Sequence, residues 1–332
     1  MNYHHYYIDR HTGGAVMEKL AADAIVRFLY SPVREKSEKM FRMITSPGYS
    51  DFIAKFNYDF PFLGRRQAGQ MAKKLGIDLP ECLEDPGYFD SARKLFERKI
   101  RYCETRPMPE NHDSIVSPAD SRVITGSLLE TEDIFIKDKF FTVGELMGKS
   151  IWAERFADGD FAVFRLTPDK YHYNHMPVSG RILDFYEIDG GFHSCNPCAI
   201  VSMVTPYSKN RRFVTLIDTD VEAGSGVGIV AMIEVVALMI GDVVQCYSEE
   251  GYDSPTPVTS GLYVKKGCPK SLFRPGSSTD ILLFEKGRIR FSDDIIANLF
   301  RPGVQSRFSI GFRQPLVETD VRVRSEIAVA IK

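Results

Sequence analysis

The segment FRPGSSTDILLFEKG, Phe273–Gly287, combines a turn, a strand and a pair of hydroxyl side chains. Its Pro-Gly pair is typical of turns. Thr279–Phe284 follows as a run of β-branched and apolar residues, which predicts a strand inside a sheet. Ser277 and Ser278 therefore lie where a turn leads into a core strand, and a hydroxyl at such a place is a candidate nucleophile.

Two other segments contain the residue types that activate a hydroxyl. SPADSRV, Ser117–Val123, contains Asp120. YHYNHMP, Tyr171–Pro177, contains His172 and His175. A carboxylate, an imidazole and a hydroxyl form a catalytic triad in any chain order, because geometry alone defines it. Each segment also fits a structural explanation, as a turn aspartate or as core histidines, so the residue types alone leave both interpretations open.

The spacing of apolar residues divides the chain into two parts. Helical spacing predicts helices at Ala15–Tyr30, Glu35–Ile44, Ser50–Tyr58, Arg66–Leu75 and Tyr88–Tyr102. Short β-branched and aromatic runs predict strands at Ser121–Thr125, Phe161–Leu166, Phe213–Ile217, Val227–Ile233, Asp242–Tyr247, Thr279–Phe284 and Arg288–Phe291. The pattern predicts an α+β fold, with a helical N-terminal region in residues 1–107 and a β-rich catalytic domain of folded antiparallel sheets, with lipoyl-like (barrel-sandwich) elements, in residues 108–332.

Composition limits the partners of the chain. Its 42 basic and 44 acidic residues give a net charge of −2, so no basic field favours nucleic acid. The longest apolar stretch, Val227–Ile240, is interrupted by Glu234 and is shorter than the roughly 20 apolar residues that cross a bilayer. The six cysteines are sparse and no secretory leader precedes them, which favours reduced thiols in the cytoplasm.

Taken together, the segments resemble the phosphatidylserine decarboxylase family: YHYNHMP with SPAD upstream, and GSST before an apolar strand downstream. Further matches occur in the same order at FERKIRYCETRP (Phe96–Pro107), HSCNPCA (His193–Ala199), YSKNRR (Tyr207–Arg212), MIEVVALMIGDVVQCY (Met232–Tyr247) and VKKG (Val264–Gly267). The matches extend over about Phe96 to Phe291, which argues against a chance agreement.

The resemblance implies that the protein makes its own cofactor. A serine hydroxyl would attack the preceding carbonyl, the chain would be cut at about 277/278, and the serine would become a covalent pyruvoyl group. By resemblance, His175 is the base that activates the serine, and Asp120 orients that imidazole. His172 assists decarboxylation or supplies the proton that follows. The implied reaction converts phosphatidylserine into phosphatidylethanolamine and CO2, and makes the chain a carboxy-lyase of phospholipid biosynthesis.

Two arguments choose different serines for the cut. The strand register, counted back from Phe284, and the following Thr279 select Ser278. A glycine just before the bond would ease a strained turn, and Gly276 stands before Ser277. We favour Ser278 and keep Ser277 as the alternative.

Three residues depart from the family pattern. Val236 and Ser271 stand where members have glycine, and Asp280 stands where an apolar residue is common. These departures keep a free amino acid such as tryptophan open as an alternative substrate. A second alternative is a lipoyl-like (barrel-sandwich) binding module around Gly261–Phe291 that is never cut.

The HSCNPC segment suggests a metal or redox site at His193, Cys195 and Cys198. A structural zinc site needs four ligands, and no second Cys pair lies at a fitting distance in the sequence. We therefore predict no metal, and two small buried thiols.

The remaining predictions concern partners. The N-terminal third is rich in aromatic residues, which fits either packing onto the β core or an interfacial helix that admits a lipid. We expect the protein to be cytoplasmic and peripherally associated with the cell membrane. The large and small chains should stay associated, and the sequence leaves a homodimer open.

Overall fold

A computed structural model describes residues 4–20, 23, 26, 65–129, 140–203, 206–237, 242–276 and 278–331. Within them the strands are β1 (Tyr6–Asp9), β2 (Ala15–Met17), β3 (Ser114–Val116), β4 (Ser121–Ser127), β5 (Asp160–Leu166), β6 (Tyr173–His175), β7 (Gly180–Ile188), β8 (Arg212–Asp218), β9 (Ile229–Val236), β10 (Val243–Gln245), β11 (Tyr263–Val264), β12 (Pro269–Phe273), β13 (Ser278–Phe284), β14 (Ile289–Phe291), β15 (Thr319–Val321) and β16 (Glu326–Ala330). Each predicted strand coincides with an observed one, and the α+β class is confirmed.

The helices within the same residues are short. They are α1 (Arg65–Leu75), α2 (Ala92–Phe96), α3 (Tyr102–Thr105), α4 (Val143–Met147), α5 (Ser150–Arg155), α6 (Pro197–Ser202), α7 (Pro206–Lys209), α8 (Asp293–Leu299) and α9 (Arg307–Phe312), with 3-10 turns at Leu79–Glu81 and Pro86–Tyr88. In this part of the chain, no helix has the length and apolar character needed to cross a bilayer.

Ten strands form one large sheet with β13 at its centre. The order is β11-β7-β8-β9-β13-β5-β4-β15-β1-β2. Neighbouring strands are antiparallel except for β1 and β15, which are parallel. Every residue of β13 pairs with β5 on one side and with β9 on the other. The strand that the opening segment predicted is therefore the most enclosed strand of the sheet.

The two faces of β13 contribute to different hydrophobic cores. Ile281 and Leu283 lie in one core, and Leu282 and Phe284 lie in the other. This division follows from the alternation of side chains along a strand. Ser278 is even-numbered like Leu282, so its side chain lies on the same face as that of Leu282.

A second sheet covers this face near Ser278. It contains β10, β12 and β6, in that order. Asn174 of β6 donates to Glu234 of β9 at 3.4 Å, and Lys270 of β12 forms an ion pair with Glu234 at 2.6 Å. A third sheet, β14-β16-β3, joins the C-terminal strands to the segment before Asp120.

The structure does not support an independent lipoyl-like unit around Gly261–Phe291. Within that segment β11 and β13 belong to the large sheet, β12 to the second sheet and β14 to the third. The four strands therefore connect three sheets instead of forming one hairpin core.

The predicted helix Ala15–Tyr30 is wrong at its start. Residues Ala15–Met17 form β2, which pairs with β1 in a hairpin. The turn explains the error: Asp9 accepts hydrogen bonds from Thr12, and Gly13 adopts a φ of +67°, which glycine tolerates. The turn residues outweigh the helical spacing that follows them.

The other helix predictions have mixed outcomes. Arg66–Leu75 is confirmed as α1. The predicted helix Tyr88–Tyr102 is broken, because α2 begins at the Ser91 cap and ends at Phe96. The predicted helices Glu35–Ile44 and Ser50–Tyr58 lie outside the described residues.

Candidate active site

Ser278 is the first residue of β13 and is completely buried. Its Oγ has no hydrogen-bond partner. Gly276, two residues earlier, has a φ of +148°, a conformation that is essentially limited to glycine. Ser277 lies outside the described residues. Ser278 is therefore a buried serine that follows a glycine-dependent turn, and its hydroxyl is not committed to another hydrogen bond.

The SPAD loop reaches the same end of β13. Ser278 is paired with Leu166 of β5 and Val236 of β9. Both of these partners share a buried cluster with Ala119 and Phe273. Ala119 directly precedes Asp120, so the fold brings the predicted carboxylate segment close to the predicted serine.

Asp120 is held by an arginine that the sequence reasoning did not include. Arg106 donates to both carboxylate oxygens through Nε at 3.0 and 3.2 Å, and through Nη2 at 2.8 Å. The backbone N–H of Val323 donates to the same carboxylate at 2.8 Å. Burial would raise the pKa of Asp120, but Arg106 outweighs it and lowers that pKa below its ordinary value.

His175 is buried with both ring nitrogens engaged. Nδ1 lies 2.8 Å from the carbonyl oxygen of Gly267, and Nε2 lies 3.0 Å from the hydroxyl of Tyr171. A carbonyl oxygen only accepts, so the proton is on Nδ1 and Nε2 accepts from Tyr171. Burial lowers the pKa of His175 to about 3, against the Gly267 hydrogen bond, which raises it.

His172 keeps one nitrogen uncommitted. Its Nδ1 lies 2.8 Å from the carbonyl oxygen of Lys170, which places the proton on Nδ1. The Nε2 lone pair is buried and has no partner. The ring stacks on Phe96 with centroids 3.6 Å apart. Burial, and then the nearby Arg98, lowers the pKa of His172 well below its ordinary value.

Among the described residues, the hydrogen bonds of Asp120, His172 and His175 go to other partners and do not form a linear triad. The charge of Asp120 raises the pKa of both His172 and His175 through space. The direct partner of its carboxylate is Arg106, and the direct partners of His175 are Tyr171 and Gly267. Tyr171 was missed although it opens the YHYNHMP segment, and Arg106 was missed although it ends the helical segment before Pro107.

A cavity of about 360 Å³ opens beside the turn at Gly276. Its lining is mixed in character: it includes apolar residues (Val16, Met17, Leu20, Leu75), polar residues (Thr167, Ser194, Asn196), basic residues (Lys19, Lys74, Arg122, Arg165) and acidic residues (Glu18, Asp169). Lys19 and Lys74 are exposed. The cavity thus adjoins Gly276 and has both apolar and charged walls.

The HSCNPC segment lines this cavity with Ser194, Cys195 and Asn196, and it also begins helix α6. The Asn196 side chain accepts from the N–H of Cys198 and caps α6, and Pro197 occupies the first turn. Cys195 is buried, and burial raises the pKa of its thiol to about 11. In the described part of the chain, the side chains that come close enough to share a metal ion are His5, Glu18 and Glu318, and Arg165 already pairs with both carboxylates there.

The comparisons with known proteins identify the family of the chain. The model of the phosphatidylserine decarboxylase family matches residues 92–307, about two thirds of the chain. A phosphatidylserine decarboxylase proenzyme of Fusobacterium nucleatum is 28% identical over 296 residues, covering 88% of this chain and 91% of the relative. One from Clostridium tetani is 27% identical over 308 residues, covering 92% and 96%. Phosphatidylserine decarboxylase proenzyme 2 of Oryza sativa is 31% identical over 285 residues, covering 85% and 41%. The chain belongs to the phosphatidylserine decarboxylase family.

Proposed function

We propose that the chain is a proenzyme that cuts the bond between residues 277 and 278 and then converts phosphatidylserine into phosphatidylethanolamine and CO2. The observation that carries this proposal is the buried, unpartnered Oγ of Ser278 behind the Gly276 turn. The substrate follows from the family and from the names of the relatives in three organisms.

The residues present fit a pyruvoyl group derived from Ser278. Its side chain is enclosed between β5 and β9, and the cavity beside Gly276 gives a substrate access to this end of β13. Such a group would supply a ketone that can bond to the substrate amine and an electron sink for the bond to the carboxylate. Leu166 and Val236, the register partners of Ser278, and Phe273 form an apolar cluster beside the position.

Ser278 needs a base, and two histidines are candidates. The resemblance assigns this role to His175, with Asp120 as the orienting carboxylate. A specific observation favours His172, whose Nε2 lone pair is buried and uncommitted, whereas Nε2 of His175 accepts from Tyr171. Because the charge of Asp120 favours protonation of either imidazole, it fits both assignments.

Single substitutions test the processing step. Ser278→Ala should leave the chain in one piece on a denaturing gel, whereas Ser277→Ala should still be cut. His172→Gln and His175→Gln distinguish the two candidate bases. Replacing the histidine that acts as the base should slow cutting by about 10²–10⁴-fold. Cutting of Ser278→Ala at a wild-type rate would refute the assignment of the nucleophile.

The cavity supports a lipid substrate over a free amino acid. Its apolar lining suits acyl or glycerol carbons, and Lys19 and Lys74 on its rim suit a phosphodiester. Lys19→Gln and Lys74→Gln should raise KM for phosphatidylserine in vesicles, with the exposed neighbour Lys73→Gln as the matched control. Turnover of free serine or tryptophan, with none of the lipid, would select the alternative substrate class.

We further propose that the protein is cytoplasmic and associates peripherally with the membrane through residues 1–107, while residues 108–332 hold the catalytic site. After the cut, the large and small chains stay together, and a homodimer is the proposed assembly. Flotation with phosphatidylserine vesicles tests the membrane contact, and sedimentation equilibrium tests the assembly. A protein that stays with the soluble fraction and sediments as a monomer would contradict both.

A further inference from the structure

A groove separate from the cavity beside Gly276 lies on the surface where α8 and α9 end. It has a volume of about 360 Å³ and is lined by residues 301–306, 309–310 and 313–315. Its walls include Arg301, Arg313 and the apolar Ile310, and none of the described residues that line it is acidic. This C-terminal groove is therefore cationic and partly apolar, and it shares no lining residue with the cavity beside Gly276.

The side chains of the groove that face solvent are arginine and apolar residues. Arg301 and Arg313 are both exposed, and within the part of the chain that the structure describes neither guanidinium makes a hydrogen bond or an ion pair. Phe300, next to Arg301, is 53% exposed, and Ile310 is 42% exposed. Exposed aromatic and aliphatic side chains beside basic residues are typical of surfaces that enter the headgroup region of a bilayer.

The backbone at Arg313 has a conformation that usually belongs to glycine. Arg313 directly follows α9 and adopts a φ of +59° in the left-handed region. Helices commonly end with glycine at such a position, because a Cβ is disfavoured there. A side chain that is kept in a disfavoured backbone conformation points to a role for the side chain itself.

Gln314 adds a hydrogen-bond donor to the groove. Its Nε2 is buried and, among the described residues, has no hydrogen-bond partner. A buried N–H without an acceptor is destabilising, and an oxygen of a bound group would satisfy it. Ser309 closes the loop behind it, because the Ser309 hydroxyl donates to the carbonyl oxygen of Leu316 and accepts from the N–H of Leu316. The groove thus offers two guanidinium groups and an amide to an anion.

The C-terminal groove adjoins the cavity beside Gly276 through two contacts. The carbonyl oxygen of Gln305 in the groove accepts a hydrogen bond from the backbone of β1 at 2.9 Å, and Tyr7 of β1 lines the cavity. Arg307 forms an ion pair with Asp23, whose carboxylate also accepts from Asn196 of the cavity lining. A bilayer that contacts the groove would therefore lie beside the cavity.

We propose that the C-terminal groove is a docking site for the anionic headgroups of a phospholipid bilayer. Arg301 and Arg313 bind the phosphodiesters, and Phe300 and Ile310 enter the boundary between headgroups and acyl chains. The site is distinct from residues 1–107 and adds a second membrane contact from the C-terminal part of the chain. It places the cavity beside Gly276 at the membrane surface, and the use of that placement for substrate delivery rests on the proposed function.

Vesicles of phosphatidylglycerol mixed with phosphatidylcholine test the groove without turnover. Phosphatidylglycerol has the phosphodiester charge of the substrate but neither its amine nor its carboxylate. The full-length protein should float with these vesicles. Arg301→Gln and Arg313→Gln should each weaken the binding about fivefold, because each basic residue near an anionic surface contributes about that factor. Phe300→Ser should weaken it to a similar extent, about fivefold.

Arg181→Gln and Ile151→Ser are the matched controls. Arg181 is exposed on β7, which lies near the opposite edge of the large sheet from β1. Ile151 of α5 is 67% exposed, and its neighbour Trp152 donates to Asp184 of β7. Neither control should change the binding to vesicles. A loss of binding in the controls equal to that in Arg301→Gln would show that the groove has no special part in docking.

Arg313→Gly distinguishes a ligand-binding role from a structural one. Glycine accepts the left-handed backbone, so the thermal midpoint of this variant should equal or exceed that of wild type. Its binding to vesicles should nevertheless fall about fivefold, as in Arg313→Gln. An Arg313→Gly protein that binds the vesicles like wild type would overturn the proposal.

Two further outcomes would also overturn it. Equally strong binding to pure phosphatidylcholine vesicles would show that the groove does not recognise headgroup charge. If Arg301→Gln and Arg313→Gln bind the vesicles normally but sediment with a smaller mass than wild type, the groove is an interface between two copies of the chain.

The outcomes separate this inference from the proposed function. If wild type is cut and active, the ratio of its turnover of phosphatidylserine in vesicles to that of dispersed short-chain phosphatidylserine should fall in Arg301→Gln and stay constant in Arg181→Gln. If wild type is never cut or releases no CO2, the proposed function fails, while binding to phosphatidylglycerol vesicles still decides the role of the groove.

Discussion

Asp120 illustrates how a single residue is recognised from the sequence while its partners are not. The SPAD segment marks Asp120 as a candidate carboxylate, and the structure brings its loop to Ser278. Its actual counterion, Arg106, lies in a different local structure, just after α3. The sequence shows which residue types are present. Which arginine pairs with Asp120 depends on the three-dimensional fold.

The buried Asp120–Arg106 pair leads to a stability prediction. Arg106→Met should destabilise the uncut Ser278→Ala protein by about 3–5 kcal/mol, because it leaves a buried carboxylate without its counterion. Urea unfolding measures this change. Lys94→Met, which breaks the exposed Lys94–Asp90 pair, is the control and should change little. Equal effects of the two substitutions would contradict the account of Asp120.

His175 leads to a prediction about pH. Its pKa is lowered to about 3 in the fold, whereas an unfolded histidine titrates near pH 6.5. The stability it contributes is present above the unfolded value and is lost as pH falls toward the folded value. The thermal midpoint of the uncut protein should therefore fall between pH 7 and pH 4.

The variant His175→Gln should show a smaller fall over the same range, and the exposed His11→Gln should behave like the parent. Parallel curves for all three proteins would show that His175 is not held neutral by burial.

At the scale of elements, the strands were predicted well, whereas of the predicted N-terminal helices that the structure describes, Arg66–Leu75 was confirmed and Ala15–Tyr30 and Tyr88–Tyr102 were not. β13 was predictable because a run of β-branched and apolar residues behind a turn has few alternatives. β2 was missed because the Asp9–Gly13 turn folds Ala15–Met17 back onto β1. The spacing of apolar residues, on which the helix prediction was based, carries no information about that turn. The second sheet over Ser278 could not be predicted, since its strands are short and far apart in the sequence.

Close packing at the far end of β13 gives an element-scale prediction. A Cβ on Gly159 would overlap the carbonyl oxygen of Phe284, which the sheet holds in place. Gly159→Ala should therefore destabilise the uncut protein by about 1–3 kcal/mol. Gly144→Ala, in α4 with open space around it, should be neutral or stabilising by up to about 1 kcal/mol.

Chemical denaturation of the two uncut variants makes the comparison. If Gly159→Ala is as stable as Gly144→Ala, the close approach between the loop before β5 and the end of β13 is not a constraint on the fold.

At the scale of the whole molecule, a cut before Ser278 would leave two interlocked chains. The small chain would contain β13, enclosed between β5 and β9, and β15, enclosed between β1 and β4. Ion pairs also join the large and small chains. For example, Arg165 of β5 pairs with Glu318. The sequence predicted that the chains stay associated, but the parallel pairing of β1 with β15 was not foreseeable from either segment alone.

Size-exclusion chromatography tests this interlocking. The cut protein should elute as one species that contains both chains at 1 M salt, because buried strand pairing rather than exposed charge holds it together. The chains should separate only in denaturant. Elution of a free small chain under native conditions would contradict the central position of β13.

The intact mass of the freshly purified protein tests the central claim most directly. We predict that the 37.6 kDa chain is replaced by two chains, the smaller ending at Lys332 and beginning with a group at position 278 that reacts with a hydrazine as a ketone does. A single species of full mass, with no ketone on any chain, would contradict the account.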